Sequence, residues 1–254
     1  MKKIAILLAA LAGFTALTAS AQQTASSYSV TTDFSYTSQY VFRGIQRARG
    51  DAFTPSVEAS VGNFSNNAYL GLWTMQPITR YQSVSQNNEI DIYAGYRQKI
   101  TRTLSLEGMG TFYWYPEASA NDLWGKKTYE LGARLTYASR GITAGASAYY
   151  DFRLQAIITQ GSVGYSFPIP KLGASIDAAF YIGSVGMKNW APDAPQGPKI
   201  RESYNYYGFD VVVPYHIRAN ATVTAGLHYA TNQNMPEGVP ANKVWFTLGV
   251  TTSF

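Results

Sequence analysis

The chain has 254 residues, no cysteine, and a formal charge of +5 from 20 basic and 15 acidic side chains. Without cysteine there is no disulfide framework, no thiolate metal site and no lipobox for lipid attachment. The charge excess is too small to argue for nucleic acid. Beyond residue 21 no apolar run reaches the roughly 18 residues of a helical membrane span.

The N-terminus carries Met1-Lys2-Lys3, an apolar stretch from Ile4 to Leu17, and Ala19-Ser20-Ala21. A basic start, an apolar middle and an A-x-A site predict a secretory signal peptide, residues 1–21, cleaved before Gln22. The expected organisation is one domain, 22–254, and loss of Lys2 and Lys3 takes its charge to +3. With 20 Tyr, 12 Phe, 5 Trp and 22 Gly, the chain favours strands over helices.

Period-two alternation bounded by turn residues predicts strands at 28–38, 53–62, 68–75, 89–98, 103–114, 128–138, 141–152, 156–167, 172–183, 204–213, 218–230 and 243–254. Most have the nine to eleven residues or so of a tilted membrane strand. Tight turns are expected at 63–67, 99–102, 139–140, 168–171 and 214–217. Long polar loops follow strands 1, 3, 5, 9 and 11, and only the loop after strand 7 is short. Alternating short and long links belong to an all-β, closed antiparallel transmembrane barrel of twelve strands, with periplasmic turns and extracellular loops. A Greek-key sandwich has no reason to alternate this way.

The last strand is the clearest. Val244, Phe246, Leu248, Val250, Thr252 and Phe254 alternate with Lys243, Trp245, Thr247, Gly249, Thr251 and Ser253. One face suits lipid and the other water, and the terminal Phe254 resembles the signal by which the barrel-assembly machinery recognises its clients. Aromatic residues gather at both strand ends, with Tyr36, Tyr40, Trp73, Phe112 to Tyr115, Tyr149, Tyr150, Phe180, Tyr181 and Tyr229 at the loop side. Tyr96, Tyr137, Tyr165, Phe167, Tyr215 and Phe254 lie at the turn side. Two such bands fit the two lipid–water interfaces.

The apolar members set the facing, and the charges follow. Asp33, Glu58, Glu89, Asp91, Glu107, Glu130, Asp151, Asp177 and Asp210 all fall on the inner face, with Arg97 and Arg134. An acidic, water-filled lining attracts cations, so the expected lumen is pore-lining and mildly cation-preferring. Arg43, Arg47, Arg49, Arg80, Lys126, Lys127, Lys188, Lys199 and Arg201 fall in predicted extracellular loops, where lipopolysaccharide phosphates or anionic solutes are natural partners.

Little else points to chemistry. His216 is expected in a tight turn and His228 on the lumen face near the top of strand 11. A hydrolase would need His228 beside a Ser or an acid. No metal-ligand cluster or phosphate loop is present in the sequence, so no catalytic residue, metal or cofactor is assigned.

Thr37-Ser-Gln-Tyr-Val-Phe-Arg-Gly-Ile45 resembles the TSDYxFRGIS opening of the TorF family of porins, also called the Gcw_chp group. Glu89-Ile-Asp-Ile-Tyr-Ala-Gly-Tyr96 is similar to that group's EIDLYGGY segment. Gln39 and Gln46-Arg47 depart from the pattern, which usually has Asp and a Ser-Gln pair there. The resemblance implies a Gram-negative outer-membrane barrel with porin activity, and it names no solute. In that setting Tyr40 and Phe42 would join the upper aromatic girdle, and Arg43 would pair with a carboxylate at the mouth, Glu58 being the nearest on the second strand. The resulting expectation is a passive channel for small solutes and ions. The alternatives are a non-conducting adhesive barrel working through its loops, and a hydrolase using His228.

Overall fold

The computed structural model describes residues 27–48, 50–63, 66–78, 88–118, 126–187, 203–234 and 241–254. They form fourteen strands: β1 (Ser27–Thr37), β2 (Tyr40–Phe42), β3 (Ile45–Ala48), β4 (Ala52–Gly62), β5 (Asn66–Pro77), β6 (Glu89–Lys99) and β7 (Leu104–Trp114), then β8 (Lys127–Ser139), β9 (Ile142–Asp151), β10 (Ala156–Ile169), β11 (Ala174–Met187), β12 (Tyr204–Arg218), β13 (Ala221–Gln233) and β14 (Lys243–Ser253). Twelve of them close into one antiparallel barrel in chain order, and β1 seals it by pairing with both β4 and β14. The remaining two, β2 and β3, make a separate hairpin. The expected twelve-stranded barrel is therefore the observed one.

Alternation sets the two faces. Phe34, Leu70, Ile92, Leu131, Ile157, Phe180, Leu227 and Leu248 stand exposed on the outside, as a surface wetted by lipid requires. Tight links join β4 to β5, β6 to β7, β8 to β9, β10 to β11 and β12 to β13, defining a turn end. The other links define a loop end. Last to be fixed is Phe254: its N–H and C=O both bond to Val30 at 2.9 Å, while its ring is exposed.

Two turns share one device. Arg140-Gly141 joins β8 to β9 with φ of 50° and 82°, and Arg43-Gly44 joins β2 to β3 with φ of 50° and 73°. Positive φ at both central residues is the two-residue turn whose twist matches the flanking strands. The β8–β9 turn was expected one residue earlier, and no strands were expected on either side of Arg43-Gly44.

A second difference concerns Pro214. The expected turn at 214–217 is strand, because β12 runs on to Arg218 and turns at 219–220. A proline lacks the N–H that a ladder needs. The β11–β12 pairing accordingly lapses between Ala174↔Tyr215 and Asp177↔Val212, while Pro214 still sits opposite Thr224 on β13. His216 thus lies on a strand, its Nδ1 2.9 Å from Thr222 Oγ1, rather than in a turn.

On the inner wall, tyrosines lie over glycines of the neighbouring strand. Tyr93 faces Gly71, Tyr69 faces Gly95, Tyr149 faces Gly132, Tyr206 faces Gly183 and Tyr181 faces Gly208. A Cβ at any of these glycines would come within 2.6 Å of the opposing ring. Each ring lies against the wall and covers the glycine opposite it.

The lumen is packed at its loop end. The buried side chains gather at the loop end around the hairpin: Ile45 with Leu154, Ile158, Val185, Tyr204 and Tyr206, then Met75 with Tyr40 and Trp73, and Tyr113 and Tyr115 with Phe42. The protein's apolar core is the contact between its first loop and its own barrel wall.

Candidate functional site: the lumen and the first-loop hairpin

The β2–β3 hairpin folds into the barrel and reaches several walls. On one side, the Arg43 guanidinium grips Glu130 of β8 with two parallel bonds of 2.5 and 2.8 Å. Such a fork-to-fork pair is both strong and directional. Tyr113 also donates to Glu130, at 3.2 Å. The same guanidinium stacks 4.5 Å over Phe42 and lies 5.9 Å from the Tyr149 ring centre. Burial would lower the pKa of Arg43, yet the hydrogen bonds and charge of Glu130 raise it above its ordinary value.

On the far side, the carbonyl of Gly44 accepts from Asn232 of β13 at 2.6 Å and from the Lys243 ammonium of β14 at 2.9 Å. A Cβ on Gly44 would meet Tyr206 Cβ at 2.6 Å and the Thr231 carbonyl at 2.9 Å, so only glycine allows this approach. Arg47 completes the grip, 4.8 Å over the Tyr115 ring. The hairpin thus crosses the lumen from β8 to β13 and β14.

Several expectations change here. Arg43 pairs with Glu130 and not with Glu58. Tyr40 and Phe42 pack inward, on Trp73 and Tyr113, and do not join the outer girdle. Arg43 and Arg47 are not charges at an open mouth, because the Arg43-Gly44 turn carries both into the barrel. Lys126 and Lys127 stay exposed at the start of β8, as loop charges should. Arg49, Arg80, Lys188, Lys199 and Arg201 lie outside the described residues, as does the expected signal peptide.

The inner carboxylates divide by height. Glu89, Asp91, Glu130 and Asp151 are buried at the loop end. Asp151 Oδ1 accepts three hydrogen bonds there, from Thr128 Oγ1 and from the backbone N–H of Arg153 and Leu154, which shapes the β9–β10 turn. Nearer the turn end the side chains are more open. Arg97 bridges Glu58, at 2.7 and 3.1 Å, and Glu107, at 2.9 Å, and lies 3.8 Å over Tyr69. Tyr69 in turn donates to Glu107 at 2.7 Å. Asp33 accepts from Ser35 and Thr251, and Asp177 accepts from Ser166. Arg134 is exposed on the inner face, beside Gly145 and Ser162.

His228 stands midway along β13. Its Nδ1 is 2.8 Å from Asp210 Oδ1, its Nε2 is 2.9 Å from Thr247 Oγ1, and its ring stacks on Trp245 at 5.1 Å. The acid and the imidazole are in line with a hydroxyl, but that hydroxyl belongs to a threonine. The strand backbone around it pairs on both sides in the barrel ladder, leaving no N–H groups to hold an oxyanion.

Comparison with known proteins agrees with this architecture. The barrel superposes on the KdgM porin with a TM-score of 0.54 at 13% identity, covering 88% of this chain and 99% of that one. For the NanC porin the TM-score is 0.51 at 14% identity, over 88% and 98% of the two chains. An outer membrane channel from Pseudomonas putida F1 gives 0.51 at 9% identity, over 92% and 97%. At such identities the likeness is one of fold. No curated protein sequence matches. Residues 21–189, more than half of the chain, match the family described as "Bacterial protein of unknown function (Gcw_chp)". The chain belongs to the Gcw_chp family, and its fold is the closed barrel of outer-membrane proteins.

Proposed function

We propose that this protein is an outer-membrane channel, a porin of the TorF kind, for passive diffusion of small solutes and ions. Its first loop forms the constriction. In this reading residues 1–21 direct export, Phe254 engages the assembly machinery, the turn end faces the periplasm and the loop end faces outward among lipopolysaccharide. The observation that carries the reading is the open half of the lumen. There Asp33, Glu58, Glu107, Asp177 and Asp210 outnumber Arg97 and Arg134, and these carboxylates are half-buried where those of the loop end are buried. An acidic vestibule concentrates cations and repels anions, so the channel is mildly cation-preferring. Conductance is modest, because twelve strands enclose a narrow lumen and a hairpin crosses it.

A second reading is favoured by that same hairpin: a barrel closed at its loop end that acts through its outer surface. An enzymatic role has less support, since the Asp210–His228–Thr247 row lacks oxyanion donors. The deciding experiment is single-channel recording of the refolded barrel in a planar bilayer under a KCl gradient. Discrete steps with a reversal potential favouring K⁺ are the expected result. Steps favouring Cl⁻ would overturn the cation preference, and silence from a folded barrel would overturn the channel.

A further inference from the structure

Beneath the hairpin lies a cluster of five charges, four of them buried. Glu89 and Asp91 of β6 and Glu130 of β8 are 1%, 8% and 6% exposed, and Arg47 is 5% exposed. The fifth is Arg43, already bound to Glu130. Three carboxylates and two guanidiniums leave one negative charge. The charged groups that Asp91 faces are Glu89, Arg47 and Glu130, so no further cation of the described residues balances it. An uncompensated charge held largely out of water is costly, so a buried carboxylate takes up either a counter-charge or a proton.

The hydrogen bonds show where that charge sits. Glu89 Oε1 accepts from the Tyr115 hydroxyl at 3.1 Å and Tyr40 also hydrogen-bonds this carboxylate, but Glu89 Oε2 is buried with no partner of its own. Asp91 Oδ1 is likewise buried with no partner. Tyr40 closes the cluster from the hairpin side. Burial first, and then the charges of Glu89 and Asp91, push its phenol well above the usual range, so it stays neutral. Glu89 and Asp91 stand two residues apart on one strand, so their side chains leave the same face. Buried polar atoms without partners are rare and call for a missing ligand.

We propose that an alkali cation, Na⁺ or K⁺, binds between Glu89 Oε2 and Asp91 Oδ1, under the Tyr40 and Arg47 side of the hairpin. Hard carboxylate oxygens suit a hard cation. One missing positive charge suits a monovalent ion. No three Asp, Glu, His or Cys side chains among the described residues are placed to share one metal ion, and Glu130 is taken by Arg43, so the site is no cage for a tightly held divalent metal. Water completes the shell, and the ion exchanges with solution. The site links the hairpin's fit to the cations outside, and it stands whether or not the barrel conducts.

The test is thermal unfolding of the refolded full-length barrel, followed by its heat-modifiable migration on gels. NaCl and KCl are compared with N-methylglucamine chloride at equal ionic strength and pH. A bound ion stabilises the folded state in proportion to the logarithm of its concentration, so the alkali salts should raise the midpoint by on the order of 5 °C. Asp91→Asn and Glu89→Gln should each abolish the difference between salts, while both variants still form the compact, fast-migrating species. Equal midpoints in all three salts would overturn the site. A difference that survives Asp91→Asn would place the ion elsewhere. Stability that follows pH and ignores the cation would make the counter-charge a proton, which also overturns the proposal.

Discussion

The two halves of the lumen are built from the same strands and solve opposite problems. At the turn end, Arg97 is shared between Glu58 and Glu107 and its side chain is 41% exposed, so water screens the bridge. At the loop end, Arg43 makes a similar fork to Glu130, but with side chains 14% and 5% exposed and aromatic rings above and around it. The geometry of the pair is alike and its surroundings differ. A bridge in water shapes the field inside a pore. A bridge sealed from water holds two pieces of chain together, because losing either partner strands a charge.

Removing the hairpin would break the contrast most severely. Replacing residues 39–48 with a short Gly-Ser linker should open the loop half and raise single-channel conductance several-fold. Unchanged conductance would show that the permeation path avoids the hairpin. Next in size is Glu130→Ala, which leaves Arg43 buried and alone. It should cost about 3–5 kcal/mol in urea unfolding. The double change Arg43→Met with Glu130→Leu should recover most of the loss, and failure to recover would mean that the pair does more than neutralise itself.

Smaller effects sharpen the comparison. Arg97→Ala in the open half should cost under about 1 kcal/mol, yet move the reversal potential further toward K⁺ by freeing two carboxylates. Smallest of all is the turn they share. Arg140→Asn puts a residue tolerant of positive φ at the β8–β9 turn and should stabilise by about 0.5–1 kcal/mol. Arg43→Asn, at nearly the same backbone angles, should instead destabilise, since there the side chain and not the turn dominates. Equal effects in urea unfolding would erase the distinction between the two halves.

The strands were legible because alternation is local: Leu248 and Val250 need only a lipid face, and every pair of neighbours reports it. Facing was legible for the same reason, down to Glu130 and Asp91. Which groups meet across the barrel was not, because parity says that Glu58 and Glu130 both point inward and nothing about which of them Arg43 reaches. The hairpin did leave a trace. Tyr40-Val-Phe42 and Ile45-Gln-Arg-Ala48 flank an Arg-Gly pair, as strands flank Arg140-Gly141, and the same reading applied to both would have found it. Pro214 misled in the opposite sense, since a proline that ends most strands is tolerated where one ladder has already lapsed.

The hairpin leaves the wall at Thr37 and returns at Ala52, and these two residues are paired across β1 and β4. Its stem is therefore pinned at both feet, on adjacent strands. Any excursion out of the lumen is that of a tethered blocker: the effective concentration over its own socket is on the order of millimolar, and closing a loop of this size takes about 10–100 ns. Dilution does not wash such a blocker away. In a channel of the proposed kind, open intervals would end as fast as the contacts at Glu130 and Gly44 re-form, so their duration would be a property of a single molecule, the same in a crowded membrane and in a bilayer holding one barrel.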